Sequence, residues 1–254
     1  MSFSAASRSD HRETASGSRD PSAPVRDRTD PTGSDEEPDP FSYRAELGRK
    51  ALHLLALVVP LGMAGLGTAT ALLLLAPATA AAVGADVLRA YSKRFARGIR
   101  VIFGPLMRRE ELPPVGSGVV INGATSVLIG ATLLTLFFPI DVAAGVFAMT
   151  MIADAAAALV GRRFGRHSWP GSSHTLEGSL AFGVAGALVV GVLPSLPVSV
   201  GLCGVLAAAV VEAAPLPLND NIRVPLVAAL VVTTGQVWLL GETVQWGWIG
   251  FYLQ

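Results

Sequence analysis

Apolar stretches dominate this sequence, and connections that contain Lys or Arg alternate with connections that contain none. From Arg44 onward the chain contains fourteen Lys or Arg, and all of them lie before the first apolar stretch or after the second, fourth and sixth. The other connections contain no Lys or Arg. The seven stretches cover residues 51–64, 69–88, 119–138, 142–160, 180–193, 198–214 and 224–240. Because cytoplasmic loops of membrane proteins collect Lys and Arg, the pattern predicts an all-α, polytopic membrane protein with about seven transmembrane helices.

The same asymmetry predicts the orientation of the protein. An odd number of spans places the N-terminus in the cytoplasm and the C-terminus outside, and we expect a multi-pass integral protein of a bacterial inner membrane. Aromatic residues near the C-terminus fit a belt at the outer membrane face. These residues are Trp238, Trp246, Trp248 and Tyr252.

Composition divides the chain at about residue 43. The whole chain is 51% hydrophobic and 15% charged, whereas soluble domains contain about 25% charged residues. Residues 1–43 hold nine of the nineteen acids and five of the nineteen bases, which predicts a disordered cytoplasmic tail that lacks the apolar core of a signal peptide. Residues 44–254 form the predicted membrane domain. The net charge of zero gives no indication of a nucleic-acid partner.

The connections differ in length and character. Residues 65–68, 139–141 and 194–197 are long enough only for tight turns. Residues 89–112 form a predicted cytoplasmic amphipathic segment on an anionic membrane surface, because apolar residues recur every three or four positions among basic ones. The apolar residues are Phe95, Ile99, Ile102, Phe103 and Leu106.

Asp154 is a carboxylate inside an apolar stretch, about two helical turns or ~10 Å from its inner end. A charge in a bilayer usually marks a functional site or a specific ion pair, so both interpretations stay open. The residues after it, Gly161, Arg162, Arg163 and Gly165, combine guanidinium groups with backbone that a phosphate can approach. Arginines in this place are also ordinary topology signals.

Two later segments contain further candidate ligands. Thr175 and Glu177 precede an apolar stretch, where both are also common helix-start residues. Glu212 is followed by a proline-containing turn and by Asp220 and Asn221, whose oxygen atoms suit Mg²⁺. A simple turn with a helix cap at Asp220 or Asn221 is the alternative.

Polar residues also lie around the start of the first apolar stretch and near the inner end of the third. Positions 46, 49, 50 and 53 share one helix face, which carries Glu46, Arg49, Lys50 and His53. Near the inner end of the third stretch, Asn122, Thr125 and Ser126 form a polar stripe.

In this order, the motifs resemble those of the CTP-dependent polyprenol and phytol kinase family, which includes dolichol kinase and is distantly similar to phosphatidate cytidylyltransferases. The resemblance covers roughly residues 45–235. This chain has His174 where the family usually has lysine, and Asn122 where Thr or Ser is common. The matching positions are Glu46, Arg49, Lys50 and His53; Asn122 to Thr125; Asp154, Ala157, Gly161, Arg162 and Gly165; Thr175, Gly178 and Ser179; and Glu212, Asp220 and Asn221.

The resemblance implies an enzyme that transfers a phosphoryl group from CTP, or another nucleoside triphosphate, to a long-chain isoprenoid alcohol such as phytol, dolichol or polyprenol. It implies Asp154, Asp220 and Asn221 as Mg²⁺ ligands, with Asp154, Glu212 and His53 as catalytic residues. The implied nucleotide-binding residues are Arg49, Lys50, Gly161, Arg162, Arg163, Gly165, Thr175, Gly178 and Ser179. Residues 44–254 would then be the transmembrane catalytic domain, and a homo-oligomer is compatible with it.

Three alternatives stay open. A cytidylyltransferase would use the same nucleotide, metal and membrane surface, but it would release pyrophosphate instead of CDP. A transporter would use Asp154 and Glu212 to carry protons or cations. An inactive structural membrane protein is the third alternative. The clustering of polar residues at one predicted membrane face, with no inverted repeat, argues against the transporter.

Overall fold

The computed structural model describes Gly48, Ala51, residues 54–104, Met107, residues 111–172, 174–244 and 246–248. Within these residues the chain forms α-helices and, apart from one isolated bridge between Ser168 and Thr175, no strand. The helices are α1 (Val58–Tyr91), α2 (Lys93–Phe103), α3 (Gly123–Phe137), α4 (Ile140–Phe164), α5 (Leu176–Val192), α6 (Val198–Ala213) and α7 (Asp220–Leu239). The all-α prediction is confirmed. The predicted tail, residues 1–43, lies outside the described residues.

The tight connections between apolar stretches agree with the sequence pattern. Helix α1 contains a break at Gly67, whose φ of 73° and ψ of 170° are conformations that glycine adopts readily and other residues rarely do. The break falls within the predicted turn at residues 65–68. Helices α3 and α4 are joined by Phe138 and Pro139, and residues 193–197 join α5 to α6.

Three helices are long and apolar enough to cross a membrane, namely α1, α4 and α7, with mean hydropathies of 1.9, 1.8 and 1.6. Helices α3, α5 and α6 are apolar but contain 15, 17 and 16 residues, fewer than the roughly 20 that a straight span requires. The structure therefore supports a helical membrane protein, while the number of spans stays a prediction.

Large apolar side chains point outward from the bundle. On α5, Leu180, Val184, Leu188 and Val192 recur every fourth residue, and each is more than 60% exposed. Helix α6 repeats this arrangement with Leu202, Leu206 and Val210. Soluble monomers rarely expose contiguous apolar faces of this extent. The outward faces of α5 and α6 are therefore suited to contact with lipid.

Helix α4 is the centre of the bundle and contacts α1, α3, α5, α6 and α7. Its buried positions combine small residues, such as Ala143, Ala153 and Ala157, with the large Phe147 and Met149. Small residues let neighbouring helix backbones approach closely, and the larger side chains fill the space between them. This packing fixes the position of Asp154, which is also on α4.

Within the predicted amphipathic segment, residues 89–112, the structure describes the helix α2. Helix α2 begins at Lys93, after Ser92 accepts a hydrogen bond from the Phe95 amide at 3.4 Å, and ends at Phe103 with no buried residue. Arg89 instead belongs to the last turn of α1 and is buried. The basic face of α2 therefore begins four residues later than the sequence pattern indicates.

Candidate functional site

Three carboxylates lie at the end of the bundle where α4 and α6 finish and α5 and α7 begin. We call this the basic end, because Arg162, Arg163 and Arg223 lie there. Asp154 is in the C-terminal half of α4, Glu212 is in the last turn of α6 and Asp220 is the first residue of α7. Helix packing thus brings together residues that are far apart in the sequence.

A small cavity separates these helices. Its volume is about 20 Å³, enough for roughly one water-sized occupant. Polar side chains line one part of it: Thr150, Asp154, Glu212, Asp220 and Asn221. Apolar side chains line the rest: Phe147, Met151, Phe182, Val224 and Pro225. The structure therefore places the implied metal ligands Asp154, Asp220 and Asn221 around one space, together with Glu212.

Glu212 is buried, and its two oxygen atoms have different surroundings. The Glu212 side chain is only 3% exposed. Its Oε1 lies 2.6 Å from Nδ1 of His174. Oε2 is buried and has no hydrogen-bond partner among the described residues. A buried carboxylate oxygen without a partner is costly, so Oε2 is suited to receive a cation or a hydrogen-bond donor.

His174 reaches Glu212 from the loop between α4 and α5. This loop folds back on itself, because the Trp169 amide donates to the His174 carbonyl at 3.0 Å and the Leu176 amide donates to the His167 carbonyl at 2.8 Å. The pKa of His174 is raised above 6.5 by the hydrogen bond to Glu212, against the opposing effect of burial. The negative charges of Glu212, Asp220 and Asp154 raise it further.

Asp220 is held by an arginine of its own helix. Its Oδ1 accepts from Nε of Arg223 at 2.8 Å and lies 2.5 Å from Nη2. Arg223 also donates from Nη1 to the Val211 carbonyl at 2.7 Å, which ties the start of α7 to the end of α6. The residue that caps α7 is Asn219, which accepts from the Asn221 amide at 3.0 Å. Neither Asp220 nor Asn221 is the cap that the sequence suggested as an alternative.

The glycine-containing motifs pack against each other where α4 meets α5. Thr175 caps α5 by accepting from the Gly178 amide at 3.1 Å. A Cβ atom added to Gly161 would lie 3.0 Å from Thr175 Oγ1, and one added to Gly165 would lie 2.7 Å from Thr175 Cγ2. Close packing therefore accounts for these residues, and their binding of phosphate stays a prediction.

Arg162 and Arg163 are exposed, whereas Arg223 is buried. Arg162 and Arg163 lie in the last turn of α4, and the guanidinium of Arg163 lies over the ring of Phe164 at 5.6 Å. Ser179, another implied phosphate ligand, accepts from Trp169 Nε1 at 3.1 Å. The structure brings these residues to the basic end but does not place them in the small cavity.

An open groove adjoins the cavity at the basic end. Its volume is about 850 Å³, within the range of ~300–1,000 Å³ that small-molecule sites commonly have. Asp220 lines both spaces, whereas His174 lines the groove and Glu212 lines the cavity. The other polar side chains of the groove are Ser126, Ser172, Asn219 and Arg223.

A second polar cluster connects α1 with the start of α3, and the sequence analysis did not identify it. Asp86 accepts from the Asn122 amide at 3.1 Å and from its Nδ2 at 2.8 Å. Arg89 donates to the carbonyls of Val120, at 2.8 Å, and Glu111. Glu111 Oε1 in turn accepts from the Gly123 amide at 2.9 Å. The available sequence signal was Asp86 itself, a charge near the end of an apolar stretch.

The donor atoms of the cavity are compatible with Mg²⁺. Among the described residues there is no group of three or more His, Cys, Asp or Glu side chains arranged to hold a metal ion. Mg²⁺, however, is commonly bound by one or two carboxylates together with water and substrate phosphates. The unpartnered Oε2 of Glu212 supplies a buried oxygen of the required kind.

Part of the implied site cannot be placed. Arg49, Lys50 and His53 lie outside the described residues. Comparisons of the chain with protein-family models, with curated proteins and with solved structures each give no match. The family resemblance therefore depends on the order and spacing of the motifs.

Proposed function

We propose that this protein is an integral-membrane lipid kinase of the CTP-dependent polyprenol and phytol kinase type. The observation that carries the proposal is the convergence of Asp154, Glu212, Asp220 and Asn221 on one cavity, with a buried and unpartnered oxygen on Glu212. An open groove of about 850 Å³ adjoins that cavity. The outward apolar faces of the helices leave the bundle accessible to a lipid alcohol within a bilayer.

The substrates in this proposal are CTP, or another nucleoside triphosphate, and a long-chain isoprenoid alcohol such as phytol, dolichol or polyprenol. The bond from the γ-phosphorus to its bridging oxygen breaks, and a bond from the alcohol oxygen to that phosphorus forms. The products are CDP and the lipid phosphate. The alcohol proton passes to a base, for which His53 and the cavity carboxylates are the candidates.

Positioning and charge neutralisation carry most of the catalysis in phosphoryl transfer. Asp154, Asp220 and Asn221 would hold Mg²⁺ beside the groove, with Glu212 supporting them. Bound Mg²⁺ would neutralise charge on the transferred phosphoryl group. Arg162 and Arg163 would bind the triphosphate from the exposed end of α4, since guanidinium groups contact phosphate oxygens in bidentate fashion. Arg49 and Lys50 complete the proposed set.

The test uses the full-length protein in lipid vesicles with Mg²⁺, γ-labelled nucleoside triphosphates and a panel of lipid alcohols, followed by lipid extraction. We expect label from CTP in an alcohol phosphate, with release of CDP. In a parallel reaction with α-labelled CTP and phosphatidate, formation of labelled CDP-diacylglycerol with release of pyrophosphate would identify a cytidylyltransferase instead. If neither label enters lipid with any acceptor, the proposed activity is wrong.

A further inference from the structure

His174 and Glu212 are in contact with each other but line different spaces. His174 lines the groove and is 28% exposed, whereas Glu212 lines the cavity and is 3% exposed. Their contact, 2.6 Å from Nδ1 to Oε1, links the two spaces. When the Glu212 carboxylate is ionised it can only accept hydrogen bonds, so Nδ1 of His174 is then the donor.

Because of this contact, the two oxygen atoms of Glu212 have different surroundings. Oε1 is occupied by His174, and Oε2 is left buried without a partner. A glutamate side chain has several accessible rotamers, and an oxygen with no partner does not hold the carboxylate in one of them. Apart from this hydrogen bond, no described polar contact fixes the Glu212 side chain.

We propose that His174 is a positioning residue that fixes the Glu212 carboxylate so that Oε2 is presented to the cavity for a divalent cation. This inference rests on the proposed function, because the cation is the one that the phosphotransferase would use. In this arrangement His174 does not bind the cation itself. Its hydrogen bond orients the Glu212 carboxylate, which would be the ligand. Loss of such a partner typically lowers metal affinity by about 10–100-fold.

Three substitutions at His174 separate positioning from general packing. His174→Ala removes the hydrogen bond. His174→Asn places an amide donor near the position of Nδ1, and His174→Gln places it one bond further out. The matched control is His167→Ala, because His167 lies on the same loop and also contacts a glutamate through Nδ1, with 2.7 Å to Glu177 Oε1, but is 74% exposed and lines neither space.

The measurement is Mn²⁺ binding to the full-length, detergent-solubilised protein by electron paramagnetic resonance, with Mn²⁺ as a probe for Mg²⁺. We expect His174→Ala to weaken Mn²⁺ binding by about tenfold or more, His174→Asn to stay within about threefold of the wild type, and His167→Ala to have no effect. Glu212→Gln should weaken binding as well. In the Glu212→Gln background, His174→Ala should cause little additional loss, since the two residues would act as one unit.

Several results would overturn the inference. Equal Mn²⁺ affinity in the wild type and His174→Ala would show that Glu212 needs no positioning. A full additional loss in the double variant would show that His174 acts through the general structure. If the wild type binds no Mn²⁺, the proposed cation site does not exist and the inference is wrong. If the expected pattern appears but no nucleotide label enters lipid, the positioning role is supported and the proposed kinase activity is wrong.

Discussion

Asp86 Oδ1 and Arg89 Nη2 lie 3.1 Å apart at the end of α1, and less than a tenth of either side chain is exposed. Asp86 also accepts two hydrogen bonds from Asn122, the residue that caps α3. Arg89 also donates to two backbone carbonyls before α3, those of Glu111 and Val120. The pair therefore holds the connection after α2 against the bundle and fixes where α3 begins.

Removal of the arginine from this pair should destabilise the protein strongly. We expect Arg89→Met to lower the free energy of unfolding by about 3–5 kcal/mol, because it leaves the Asp86 charge buried without its partner. Lys93→Met is the matched control, since Lys93 is exposed at the start of α2, and a surface change of this kind costs within about 0.5 kcal/mol. Unfolding in detergent with increasing denaturant measures both variants. Equal stability of the two would contradict the role of the buried pair.

Close packing at Gly130 brings α3 against the start of α7. A Cβ atom on this residue would overlap the carbonyl oxygen of Asn221, so Gly130→Ala should destabilise the protein by about 1–3 kcal/mol and should displace Asn221 from the cavity. Gly183 on α5 is the matched control, because no atom lies within 4 Å of its added Cβ. Gly183→Ala should be neutral or stabilising by up to about 1 kcal/mol.

Thermal unfolding of the two glycine variants measures this difference. The position of Gly130 adds a functional expectation, since Asn221 lines the cavity beside Asp154. Mn²⁺ affinity should therefore fall in Gly130→Ala but not in Gly183→Ala. A Gly130→Ala protein as stable as the wild type would show that α3 and α7 are further apart than the structure has them.

The approximate positions of α3 to α7 could be inferred from the sequence, whereas the contacts of His174 could not. Prolines and short polar turns separate the apolar stretches, so the connections at Pro139 and residues 193–197 follow from local chemistry. His174, in contrast, contacts Glu212 only because the loop after α4 folds back towards the end of α6. No local pattern relates two residues on different connections of a bundle.

Asp86 shows a different reason for a missed contact. Arg89 resembles the other basic residues of the predicted cytoplasmic connections, so the sequence does not indicate its pairing with a carboxylate three positions earlier. Asp154, by contrast, was identifiable because no basic residue lies within a helical turn of it. An isolated charge in an apolar stretch is a clear sequence signal, and a locally compensated charge is not.

The stability contribution of His174 should depend on pH. Its pKa is raised above 6.5 in the folded protein, first by the hydrogen bond to Glu212. A histidine with a higher pKa in the folded state stabilises the fold fully below its unfolded pKa, and this contribution is lost as the pH rises through the folded value. The difference in thermal midpoint between the wild type and His174→Gln should therefore be largest near about pH 6 and should shrink towards about pH 9. A difference that is constant, or that grows with pH, would contradict this coupling.

The predicted orientation can be tested with single cysteines in a Cys203→Ser background, which removes the one cysteine that the sequence contains. Ser168 lies on the loop between α4 and α5, and Ser195 lies in the connection between α5 and α6. With the basic end in the cytoplasm, a cysteine at position 195 should react with an impermeant reagent from outside intact cells. A cysteine at position 168 should react only after the membrane is opened. The reverse pattern would place the site on the outer side.

Asp154→Asn tests the candidate site most directly. The substitution keeps the shape of the side chain and removes its charge, so turnover should fall about a hundredfold or more if Asp154 holds Mg²⁺. The fold should survive, because neutralising a charge within the bilayer lowers its desolvation cost. The structural-pair interpretation predicts the opposite result, namely a less stable protein in which the cationic partner of Asp154 has lost its counter-charge. Thermal stability and Mg²⁺-dependent phosphorylation, measured on the same preparation, decide between them: a stable and inactive variant supports the site, whereas an active one excludes Asp154 as a metal ligand.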